Sequence, residues 1–113
     1  MALYSELPVY KVTYQLLMAV ITCSVHVSRE HRYSLCQDLR NRLMGILLRI
    51  YRANRIPEKA PIIHEAMELL VEARIYMRLL ADLHQISVKQ YAQLCDLSEL
   101  ASKQLSAWER YAS

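Results

Sequence analysis

YSLCQDLRNRLMGILLRIYRAN, residues 33–54, is the stretch whose reading decides the fold. Cys36, Leu39, Leu43, Ile46, Ile50 and Ala53 recur at alternating intervals of three and four, which puts all six on one face of an α-helix. Met44, Leu48 and Tyr51 make a further apolar line roughly a third of a turn away, with Leu47 between the two. Asp38, Arg42, Gly45, Arg49 and Arg52 take the opposite side. A helix that is apolar on more than one face needs more than one packing partner. This segment therefore predicts a bundle core and, through Met44, Leu47, Leu48 and Tyr51, an oligomer interface.

Outward from it, the punctuation marks three more helices. The first is expected over about 8–27, opened by Pro8, whose missing N–H costs nothing in a first turn. Its inward face reads Val9, Val12, Leu16, Ala19, Cys23 and Val27, and the polar stretch from Ser28 to Arg32 turns the chain into the second helix, 33–54. Pro57 and Pro61 end that helix and open a third, 61–84, with Ile62, Ala66, Leu69, Ala73, Tyr76, Leu80 and Leu83 in heptad register. Glu65, Glu68 and Glu72 precede Arg74 and Arg78 along it, the order that suits a helix dipole. Ser87 with Gln90 three residues on is a capping box, and Ile86 stands ready to staple onto Tyr91. The fourth helix follows, 88–111, with Tyr91, Leu94, Ser98, Ala101, Leu105 and Trp108 facing inward. Connections this short favour one all-α domain, an antiparallel up-down-up-down four-helix bundle over residues 1–113.

Composition agrees. One glycine and three prolines in 113 residues are too few for a β-architecture, and the chain is long enough to bury a core without metal or disulfides. Cys23, Cys36 and Cys95 are odd in number and form no C-x-x-C, which fits a reduced, cytoplasmic setting. The most apolar run, Leu16 to Val27, is interrupted by Thr22, Cys23, Ser24 and His26 and falls short of the ~20 residues that cross a bilayer, so no membrane association is expected. The first residues include Glu6 and lack a basic n-region, so no secretion signal is expected.

Charge is where function shows. The chain totals +3, yet Arg29, Arg32, Arg40, Arg42, Arg49, Arg52 and Arg55 face only Glu30 and Asp38 between residues 29 and 55. That local surplus of five leaves the remainder at −2, and such asymmetry points to an anionic partner met through one element. Arg42, Arg49 and Arg52 leave the second helix on one side, with Arg40 nearby and Arg55 and Lys59 extending the charge into the next turn, a geometry that follows a phosphate backbone. The plainer alternative is a solvated face paired with Asp38, Glu65 or Glu68. Arg74 and Arg78 are the second candidate: four apart within an apolar run, they need a carboxylate, a phosphate or water. Glu72, Asp82 or another helix's acid is one answer, and a charged pore or docking surface created by assembly is the other.

Catalytic sets are not found. One glycine rules out a phosphate-binding loop, no G-x-S-x-G or H-E-x-x-H occurs, and the absence of Glu-x-x-His argues against a di-iron bundle. No enzyme activity, cofactor or metal is expected. The cysteines read as small core residues, and His64 and His84 sit near helix ends.

Residues 7–17, LPVYKVTYQLL, then 28–35, SREHRYSL, then 48–54, LRIYRAN, resemble the accessory variability determinant (Avd) proteins of diversity-generating retroelements. Residues 73–80, ARIYMRLL, and 102–108, SKQLSAW, continue the match, so the resemblance spans almost the whole chain in order. The wider group includes four-helix-bundle proteins encoded in intervening sequences of ribosomal RNA genes. The resemblance implies a homopentameric barrel with a basic surface or pore, associated with the element's reverse transcriptase and template RNA in adenine-directed mutagenic cDNA synthesis, without chemistry of its own. Arg74 and Arg78 match the arginine pair of the family's third helix, whereas Cys36 departs from the small glycine usual there. Competing with this is a protein-only scaffold, or an intervening-sequence protein of another role, whose arginines serve solubility.

Overall fold

The computed structural model describes residues 2–112. A 3-10 turn, Tyr4–Glu6, leads into α1, Pro8–Ser24. α2, Arg29–His31, is a single turn that runs on through a π-helical stretch, Arg32–Cys36, into α3, Gln37–Arg55. α4 spans Ala60–Asp82 and α5 Val88–Ala112. No strand occurs among the described residues. α1 packs on α3 and α5, and α4 packs on the same two, so the four long helices occupy the corners of a square with α1 diagonal to α4. The molecule measures 43 × 22 × 21 Å.

All six residues of the 36–53 stripe are buried, with Leu39, Leu43, Ile46 and Ala53 fully so. Leu94, Ser98, Ala101 and Leu105 of α5 are buried as well. The buried hydroxyls are satisfied within their own helices: Thr13 Oγ1 donates to the Val9 carbonyl at 2.7 Å and Ser98 Oγ to that of Cys95 at 3.0 Å.

Three expectations are corrected. The stretch 28–32 does not turn the chain; Ser28 is extended and the helix begins at Arg29. Arg32 returns from that new helix to donate Nη2 to the carbonyls of Val25 and Val27, both at 3.0 Å, which satisfies groups the end of α1 leaves open. On α1, Ala19 is only half-buried, while Thr13, Leu17 and Val20 join the core because α1 has two neighbours and buries a wider face. On α4 the core row is Ile63, Ala66, Leu70, Ala73, Met77 and Leu80, one step round from the expected one. Ile62, Leu69 and Tyr76 are half-buried beside it and Leu83 lies past the helix end, exposed. The physical reason is the Tyr76 hydroxyl, which in the core would lack a partner and at the α3 seam stands 3.5 Å from Asp38 Oδ2.

The loop ends are closed by named contacts. At the α4 terminus Gln85 N–H donates to the Leu80 carbonyl and His84 N–H to that of Ala81, a Schellman motif that places His84 at φ 58°. Gln85 Oε1 accepts the Ser28 N–H at 2.9 Å, tying this loop to the α1–α2 connection. The capping box is formed: Gln90 N–H donates to Ser87 Oγ at 3.0 Å and Ser87 N–H to Gln90 Oε1 at 2.8 Å.

Candidate nucleic-acid and partner interface

The fold divides the arginine-rich segment into different roles. Arg42 and Arg49 do not project to solvent as the sequence pattern suggested; with Asp38 and Gly45 they line the seam between α3 and α4, half-buried. The close approach there is made by Gly45, where an added Cβ would stand 3.0 Å from Leu69 Cδ1. Arg42 Nε donates to Glu72 Oε1 at 3.1 Å and its guanidinium lies 5.1 Å from the centre of the Tyr76 ring. Arg49 Nε is 3.5 Å from Glu65 Oε1, an ion pair without a hydrogen bond. Arg40 donates to Gln37 Oε1 at 2.7 Å.

The end of α3 is different. Arg52 is exposed and makes no hydrogen bond or ion pair with the described residues. Arg55, also exposed, donates Nη1 to the Tyr51 hydroxyl at 2.7 Å and lies over that ring at 5.3 Å. Arg52, Arg55, Tyr51 and Ile56 enclose a cleft of about 240 Å³. A helix C-terminus is ordinarily electronegative, which would oppose an anion. Lys59 removes that obstacle: its Nζ donates to the carbonyls of Ala53 at 2.8 Å and Ile56 at 2.6 Å, with Asn54 at 3.5 Å. The two arginines thus sit above a helix end whose partial negative charge is already met by an ammonium, and Glu58 is the only acid in the connecting loop.

Beside this cleft lies an aromatic cluster that the sequence reading did not anticipate. The 3-10 turn swings Tyr4 against Tyr51, ring centres 4.9 Å apart, and against Tyr10 at 5.3 Å, both edge-on; Tyr10 stacks on Tyr14 at 6.2 Å. Tyr10 and Tyr14, four apart on α1, were the available signal. Together with Leu17, Met44, Leu47 and Leu48 these rings line an open groove of about 460 Å³. Of the expected oligomer-interface residues, Met44 and Leu48 are half-exposed, Tyr51 is partly covered, and Leu47 is buried in the groove floor.

Arg74 and Arg78 are exposed on α4 and line a different groove from that cleft. Arg78 Nε bonds both carboxylate oxygens of Asp82, at 3.0 and 3.1 Å, which holds the guanidinium firmly in its charged form. Arg74 is exposed and has no partner among the described residues. With Val71, Ile75, Leu79 and Tyr91 the pair lines an open groove of about 420 Å³. The Tyr91 phenol is pushed up by its hydrogen bond with Cys95 and by burial, while Arg78 opposes the shift.

Cys23 and Cys36 are buried and unpaired, and burial pushes both thiols up; Arg40 and Arg32 partly offset this at Cys36. Among the described residues no three His, Cys, Asp or Glu gather as a metal site, and no helix is long and apolar enough to cross a membrane. No protein-family model matches the chain, and no curated protein matches it either.

Proposed function

We propose that this chain is a non-catalytic accessory protein of a diversity-generating retroelement that binds the element's reverse transcriptase and template RNA in the cytoplasm. The observation that carries the reading is the end of α3, where Arg52 and Arg55 face solvent without a carboxylate and Lys59 has quenched the helix terminus beneath them. Phosphates are the ligands such a surface is built to receive. The resemblance of residues 7–17, 48–54, 73–80 and 102–108 to Avd proteins supplies the polymerase and the retroelement.

In this reading the helices run up-down-up-down, since four- and five-residue connections join consecutive ones. The bundle assembles as a ring, five copies by resemblance. A closed ring needs two unlike patches on each copy. The exposed residues Met18, Ile21 and Val25 on α1 supply one, and the groove that Tyr14 shares with Met44 and Leu48 the other.

Retention of structured RNA on a filter across a salt series, with solution mass measured on the same samples, tests the proposal. RNA binding that weakens steeply with salt, on a species several times the 13.2 kDa chain mass, is the expected result. No retention at low salt by a protein that stays monomeric would overturn it. The protein-only scaffold draws support from the Arg42–Glu72 and Arg49–Glu65 pairs, which use two of the arginines internally. It predicts an oligomer that ignores RNA.

A further inference from the structure

The outer face of α4 carries two parallel ridges. Val71, Ile75 and Leu79 recur every four residues and are 60, 56 and 40 % exposed, an aliphatic row open to water, and Leu83, 44 % exposed, follows just past the helix end. Arg74 and Arg78, also four apart, flank it. An i, i+4 row is the ridge that a second helix meets in the commonest mode of helix packing, crossing at about −50°. Aliphatic side chains neither stack on bases nor bond phosphates, so the row is ill suited to RNA. A protein helix suits it, burying the row and answering the arginines at its edge.

We propose that this face docks an amphipathic helix of a partner protein, apolar along one line and acidic beside it. The proposal rests on the reading of the chain as a binding subunit and names the chemistry of its protein partner. Charge selects the occupant. Asp82 already serves Arg78, but Arg74 has no partner among the described residues, and covering its neighbours with hydrocarbon alone would strand a guanidinium in a drying interface. A carboxylate from the docked helix answers it.

A second copy of this chain answers it poorly, since the four acids of α4 itself already face partners within the chain: Glu65 meets Arg49, Glu68 meets His64, Glu72 meets Arg42 and Asp82 meets Arg78. α1 contains no acidic residue, and the one acid of α3, Asp38, is turned to the seam with Tyr76. α5 offers Asp96 and Glu99 but only Leu100 as an exposed aliphatic beside them, which is no ridge. The α4 face also stands diagonal to the α1 row proposed for self-association.

Two synthetic helical peptides that share one apolar row, flanked in one by glutamates and in the other by lysines, test the docking. They are titrated into the isotope-labelled intact protein and followed by amide shifts. The expected result is displacement confined to residues 71–91, with the glutamate peptide binding roughly tenfold more tightly and Arg74→Glu reversing the preference. Equal affinity for the two peptides, or shifts on α1 and α3 instead, would overturn the proposal. So would a fall in solution mass on Ile75→Asp, which would seat a second copy on this face. RNA retention by the same samples scores the accessory-protein reading separately: peptide failure with RNA binding intact removes only the docked helix, and loss of RNA binding with peptide selectivity intact removes only the RNA.

Discussion

Replacing Arg52 and Arg55 together by glutamine removes the two cations that stand at the α3 terminus without a carboxylate, and the consequence can be worked in advance. Each phosphate contact contributes about 0.7 to the slope of log affinity against log salt for a single strand and about 0.9 for a duplex. Two contacts therefore contribute about 1.4 to 1.8. Over the fourfold rise from about 50 to 200 mM salt, the double variant should lose roughly seven- to twelvefold less affinity than the wild type, from a weaker starting point. Arg42→Gln with Arg49→Gln removes the same charge from the α3–α4 seam. Those side chains are 30 and 31 % exposed and bridge to Glu72 and Glu65, pairs worth a few tenths of a kcal/mol each. This second variant should lower the melting temperature by about one or two degrees and keep most of the salt slope. Filter binding and thermal melting of both variants decide the point. Equal slope losses in the two would refute the reasoning, because net charge rather than placement would then govern binding.

Further outcomes follow from particular contacts. His84→Gly should raise the melting temperature by about 2–4 °C, since a left-handed residue with a Cβ carries a penalty of about 1–2 kcal/mol that glycine's greater unfolded freedom only partly offsets; His84→Ala, which keeps the Cβ, should give no such gain. Ser87→Ala should cost about 1 kcal/mol in urea unfolding by opening the capping box. The contribution of the two buried thiols to stability should be full below about pH 9 and be lost above it: burial has raised Cys23 and Cys36, so the unfolded chain sheds those protons first and is favoured as pH rises, which unfolding at stepped alkaline pH measures. A thiol reagent applied to the folded protein should modify half-buried Cys95 well before either buried cysteine, read by peptide mass.

The residues of 36–53 were legible because one row of six apolar side chains has a single inward register, and the structure keeps all six in the core. α4 was harder. Ala66, Ala73 and Leu80 belong to both possible rows, and only the needs of the Tyr76 hydroxyl separate them, through Asp38 on another helix. The capping box could be read locally because both partners lie within three residues. From their own segment the arginines left two outcomes open, an anionic partner or a neighbouring carboxylate such as Glu65, and Arg49 takes Glu65. Whether Arg42 meets water or Glu72 depends on which face α4 presents thirty positions on, and Arg32 turned out to close the helix before it. The tyrosine cluster was hidden for the same reason, since a short turn at Tyr4 brings together rings from three places in the chain.

RNA is expected to touch the protein at the α3 terminus, around Arg52 and Arg55. Ultraviolet crosslinking of a structured RNA to the wild-type protein, with the adducts located by peptide mass, tests that directly. Adducts gathered on Tyr51, Arg55 and the adjoining residues of the α3 terminus are the predicted result. Adducts along the Arg42–Glu72 seam instead, or none at low salt, would contradict it.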